Sequence, residues 1–195
     1  AAGMFIAYLD SIYCTGNLSI NRTSAGLTVS FNAGATINGN FSYTNNSGGN
    51  TYFGNKLYKS KIGGLINIDA TYLSPNEFVM HHLVNQTGGG NILVQNSGGF
   101  SVENDTLLLN SINLLGYGGS QYANFSNNLI TGNVTTADNA GYAGGYYTYF
   151  RNNTINGNCS ITNNGFNILL DADAAGTGNR YNGNLSYTKN GAPII

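Results

Sequence analysis

One stretch, FRNNTINGNCSIT at 150–162, can be laid over the chain again and again, and this repetition limits the possible folds more than any other feature. Its nearest copy is FSNNLITGNVTT at 125–136, with more distant copies YCTGNLSIN at 13–21, TINGNFSYT at 36–44 and RYNGNLSYT at 180–188. Weaker versions are GGLINID at 63–69, GGNILVQN at 89–96 and SINLL at 111–115. The first apolar residue after each turn is then Leu18, Phe41, Ile66, Ile92, Ile112, Val134, Cys159 and Leu185. These markers recur at intervals of roughly 20 to 26 residues, the spacing of a solenoid. The chain therefore reads as all-β, a parallel β-helix of about eight coils.

Within each copy, apolar and hydroxyl residues alternate with a period of two. In GNLSI, GNFSY, GNCSI and GNLSY the side chains of Leu18 and Ile20, Phe41 and Tyr43, Cys159 and Ile161, and Leu185 and Tyr187 share one face, and Ser19, Ser42, Ser160 and Ser186 the other. That is a half-buried strand, and the same alternation turns Ile37, Ile130 and Ile155 inward. The preceding Gly16, Gly39, Gly90, Gly132, Gly157 and Gly183 suggest a corner at positive φ. The next residue is Asn17, Asn40, Asn91, Asn133, Asn158 or Asn184, and stacked coils would set these amides in a ladder along the axis. Such ladders account for 33 asparagines in one chain.

Composition supports an ordered body. Only 8% of residues are charged, yet 14 Tyr and 9 Phe are enough to fill a narrow core. A net charge of −1 offers no basic field for a phosphate backbone, which argues against nucleic acid as a partner. No apolar run is long enough to form a membrane-spanning helix. Cys14 and Cys159 fall in the first and seventh coils, ~29 Å apart at strand spacing, and so beyond disulfide reach.

The whole of 1–195 is expected to be a single solenoid, with apolar sequence at both ends suggesting a piece of a longer repeat protein. Residues 73–83, containing Pro75, His81 and His82, are expected to leave the coil as a loop.

Candidate chemistry is sparse. Asp171 and Asp173 share one side of a strand near Arg180, an arrangement that fits a weak calcium site or a solvated corner. As a catalytic carboxylate pair it has no third acid or His at matching offsets in adjacent copies. Adjacent His81 and His82 would point to opposite faces of an extended segment, and one metal could not readily use both. No cofactor motif is present. Tyr142, Tyr146 and Tyr147 lie in or beside a glycine-rich corner and are candidates for contact with a glycan or a surface. The hydroxyl pairs Ser42/Thr44, Ser160/Thr162 and Ser186/Thr188 suggest a face for ordered water, but the column is interrupted at Asn67, Leu93 and Asn113.

NTINGNCSITNNG, ATINGNFSYTNNSGGNTYFGN and YNGNLSYTKNG resemble the Asn/Gly/Thr-rich repeats of giant Bacteroidota cell-surface adhesins exported by the type IX secretion system. That resemblance implies an extracellular, cell-surface location and a non-enzymatic structural role in attachment or gliding. It implies as partners further repeats of the same chain, surface glycans or the secretion machinery. It also makes Ser11 and Thr106 candidate O-glycosylation sites, since Asp10-Ser11-Ile12 and Asp105-Thr106-Leu107 match the acceptor pattern of that phylum. Polysaccharide lyases, glycosidases and glycan-binding modules are the alternatives that a β-helix leaves open.

Overall fold

A computed structural model describes residues 6–23, 28–31, 33–72, 76–118, 123–139, 147–165, 167–171 and 178–190. Among these residues all regular structure is β-strand, in three parallel sheets of eight strands each. Each turn of the chain contributes one strand to every sheet, so neighbouring strands in a sheet come from successive turns. The first sheet runs from Ile6–Tyr8 to Asn167–Asp171, the second from Tyr13–Cys14 to Arg180–Tyr181, and the third from Leu18–Arg22 to Leu185–Lys189. The fold is a parallel β-solenoid. Its coil length ranges from 20 residues between Asn91 and Ser111 to 27 between Thr51 and Phe78.

The inward residues form columns through the stack. In the second sheet, Cys14, Ile37 and Ile62 stack in register at one end, and Leu107, Ile130, Ile155 and Tyr181 at the other. Ile37, Ile130 and Ile155 are fully buried, as the alternation predicts. Phe31, Phe41, Tyr43, Phe53 and Phe78 fill the interior of the early turns, with ring centroids 5.0 to 6.1 Å apart in mostly edge-on pairs. Buried tyrosine hydroxyls find threonine partners across the core. Tyr43 and Tyr72 meet Thr51 at 2.9 and 2.8 Å, and Tyr117 meets Thr148 at 3.2 Å. Cys159 is buried, which pushes its thiol up to about 12, whereas Cys14 is only half-buried.

Enclosure is incomplete in the outermost turns. Leu185 and Tyr187 pair with the buried Cys159 and Ile161 but are themselves 44% and 47% exposed. The eight strands of each sheet thus give about six turns covered on both sides, rather than eight equivalent coils.

Three expectations need correcting. The markers Leu18, Phe41 and Ile66 pair in sequence, as do Ile92, Ile112, Val134, Cys159 and Leu185, but Ile92 sits opposite Ile68 and not Ile66. The stack slips by two residues where the chain carries Gly88, Gly89 and Gly90, and a slip of two preserves which face is buried. Second, of the repeat glycines only Gly90 has positive φ. Gly39, Gly132, Gly157 and Gly183 are instead required by close stacking, a Cβ on Gly157 striking the Gly132 carbonyl oxygen, whereas Gly16 in the first turn is open. Third, 73–83 is not an excursion over its described part. Glu77–His81 and Leu83–Asn85 are ordinary strands, paired on both sides; 73–75 lie outside the described residues.

Positive φ falls instead at the corner between the first and second sheets. Ser11, His82, Asn104, Asn127 and Asn152 occupy it at φ of 53 to 58°. This is the left-handed region that Asn tolerates best among residues with a side chain. In the later turns the next residue, Asn128 or Asn153, points inward and forms the true amide ladder together with Asn179. Asn128 Nδ2 donates to Asn153 Oδ1 at 3.0 Å, and Asn153 Nδ2 to Asn179 Oδ1 at 2.9 Å. The same Nδ2 groups, with that of Asn179, also donate to the carbonyls of Val102, Phe125 and Phe150. At the expected ladder positions the amides are exposed, and they accept backbone N–H groups: Asn17 from Asn40, Asn133 from Asn158, and Asn158 from Asn184, at 2.8 to 3.0 Å.

Candidate functional site

The outer face of the first sheet carries the densest group of ionisable side chains among the described residues. Alternation decides which they are. Phe78 and Met80 of Glu77–His81, and Phe100 and Val102 of Gly99–Glu103, go into the core, so Glu77, Val79, His81, Ser101 and Glu103 are left outward. Register then brings together residues far apart in sequence. Val79 lies beside Ser101, Ser101 beside Asn124, and His81 beside Glu103. A cavity of about 240 Å³ opens over them, lined also by Lys56 and Gly99.

Glu103 is the hub. Ser101 Oγ donates to Glu103 Oε1, His81 Nε2 is 3.4 Å from the same oxygen, and Lys56 Nζ is 3.6 Å from Oε2. Because Ser101 spends its proton on the carboxylate, the hydroxyl can only accept at its 2.8 Å contact with His81 Nε2, which therefore carries a hydrogen. His81 first, and then Ser101 and Asn124, hold the Glu103 carboxyl down to about 2, against the partial burial that would raise it. Across the cavity Tyr52 donates its hydroxyl to Glu77 Oε2 at 2.7 Å, and burial together with that carboxylate pushes the phenol up to about 12.

A carboxyl held near 2 donates no proton at neutral pH, and a serine whose hydrogen points at a carboxylate is not hydrogen-bonded toward an imidazole base. The cluster is arranged to present fixed donors and acceptors. Sequence reasoning missed it because Lys56, Glu77, Ser101, Glu103 and Asn124 belong to four successive turns and share no motif. His81 and His82 do diverge: His82 turns away at the corner, its Nδ1 3.0 Å from the Asn55 carbonyl oxygen. No cluster of three metal-ligating side chains occurs among the described residues.

The other candidates are not brought together with this site. Tyr142, Tyr146 and Asp173 lie outside the described residues. Tyr147 and Asp171 are described in their backbone, which pairs with Asn167 and Arg151 respectively. Ser11 is exposed at a corner, and Thr106 is half-exposed on the second sheet; the Asp105 of its triplet is buried and accepts the Leu83 N–H at 2.6 Å. The hydroxyl column is interrupted where the sequence suggests: Ser19 stacks on Ser42 but Ser42 on Asn67, and hydroxyls follow one another again only at the far end, from Thr135 through Ser160 to Ser186.

Comparison with known families, curated proteins and solved structures yields no match.

Proposed function

We propose that this chain is a non-catalytic structural segment of an extracellular cell-surface adhesin or filament, a rigid spacer that displays its outer faces in attachment or gliding. The observation that carries this reading is the unbroken interior, in which columns such as Cys14–Ile37–Ile62 run along the axis and each turn is held by its neighbours. Interfaces of that kind add along the stack and resist bending. Its partners are further repeats of the same chain, with surface glycans or the secretion machinery at the cell. Single-molecule pulling tests the spacer: successive turns should yield in steps, and collapse in one low-force event would refute it. Beads coated with the chain should be retained on cell surfaces under flow; retention no better than for a charge-matched globular control would remove the adhesive role.

The second reading, a carbohydrate-active β-helix, draws on the Glu77, His81, Ser101 and Glu103 cavity. Release of reducing ends from a panel of neutral and acidic polysaccharides, abolished by Glu103→Gln, would favour it. Recognition of glycans through Tyr142, Tyr146 and Tyr147 would show as binding on a glycan array that Tyr146→Ala removes.

A further inference from the structure

Five outward residues of the first sheet follow one another in register along the axis: Tyr52, Val79, Ser101, Asn124 and Tyr149. The outer two are aromatic and the inner three are short. Four steps at strand spacing separate the two tyrosines by ~19 Å. The result is a trough with an aromatic residue at each end. Tyr52 is held through its hydroxyl on Glu77, and the Arg151 guanidinium stacks 4.2 Å from the centroid of the Tyr149 ring. Gly99, beside Glu77, leaves the flank of the trough open, and the 240 Å³ cavity lies over Val79 and Ser101.

The lining selects a ligand by exclusion. Within the cavity two carboxylates, Glu77 and Glu103, face one lysine that is already paired with Glu103, and Arg151 lies apart at the Tyr149 end, so a phosphate or a uronate seated over Val79 and Ser101 would meet net repulsion. A lone metal ion would lack a third ionic ligand. What remains are closely set donors and acceptors around a small apolar floor, the complement of a neutral polyhydroxylated ring. The cavity is smaller than the ~300–1,000 Å³ of drug-sized sites, so it takes one ring, with its neighbours continuing along the column. We infer that the trough between Tyr52 and Tyr149 is a binding site for a neutral saccharide segment, with one ring seated over Val79 and Ser101. The rod reading stands with or without it.

The test is saturation-transfer NMR on the full chain with cellotriose, laminaritriose, mannotriose and maltotriose, and with trigalacturonate as the acidic probe. At least one neutral trimer should receive saturation and trigalacturonate none. Val79→Trp, which fills the notch from an outward position, should weaken binding at least ten-fold. Asn124→Ala, which removes an amide without adding bulk, should weaken it at least three-fold, and Asn21→Trp on the third sheet should leave it unchanged. Silence from every neutral trimer at millimolar concentration, a preference for trigalacturonate, or undiminished binding by both trough variants with wild-type thermal unfolding would overturn the inference.

Discussion

Asp105 donates its backbone N–H to Asn128 Oδ1 at 3.0 Å, one turn away in the same buried column, yet the two side chains fare differently. Asn128 Nδ2 reaches both Asn153 and the Val102 carbonyl, whereas Asp105 Oδ2 is buried with no partner. Met80 pairs with Val102, so its carbonyl is the position that the Asn128 pattern would assign to a donor at Asp105. A carboxylate has no hydrogen to give it.

Burial, reinforced by the Glu103 charge, pushes the Asp105 carboxyl well above its ordinary value. The folded state therefore binds this proton more tightly than the unfolded chain does. The stabilisation is complete below the unfolded carboxyl range and is lost as pH rises through the folded value. Asp105→Asn should add about 1–3 kcal/mol at pH 8, the cost of one buried unsatisfied group, and should gain little at pH 3. Urea denaturation at the two pH values measures both.

Glu103, two residues earlier and on the outer face, behaves in the opposite sense. Held down to about 2, chiefly by His81, it contributes stability that is present above the unfolded carboxyl range and is lost as pH falls through about 2. Glu103→Gln should make the acid limb of the stability profile shallower and leave the alkaline limb unchanged. Carboxyl-carbon NMR titration should place these two groups on opposite sides of the normal range.

The amide ladder is tested at its centre. Asn153 accepts from the backbone and side chain of Asn128 and donates to Asn179 and to the Phe125 carbonyl. Asn153→Ala should destabilise by about 1–3 kcal/mol for each buried partner left orphaned. A loss in chemical denaturation under 1 kcal/mol would show that water replaces the amide.

Glycines at equivalent repeat positions should differ. A Cβ at Gly16 meets nothing within 4 Å, whereas at Gly157 it would strike the Gly132 carbonyl oxygen. Gly16→Ala should change stability by less than about 0.5 kcal/mol, and Gly157→Ala should cost about 1–3 kcal/mol through overpacking. Differential scanning calorimetry of the pair is sufficient.

The period of two and the recurrent Gly-Asn made strands, parallel stacking and the burial of Ile37, Ile130 and Ile155 legible, because side-chain alternation is a local property. The slip at Gly90 was not legible, since a triple glycine can be absorbed at a corner in more than one way. Nor was the inward ladder: in Asn127-Asn128 and Asn152-Asn153 one asparagine bends the backbone while the next enters the core, and a sequence shows only a doublet. The site on the first sheet was hidden for another reason. Its outward residues look like any solvated face until the coil length sets Val79 beside Ser101 and His81 beside Glu103.

The slip of two residues at Gly90 has a consequence for how such a molecule can change. Lengthening a bend by an even number of residues shifts the exterior lettering sideways across the rod, while inside it greasy side chains still meet greasy side chains. Lineages could thus rewrite what the surface offers to its surroundings, one bend at a time, without redesigning what lies beneath.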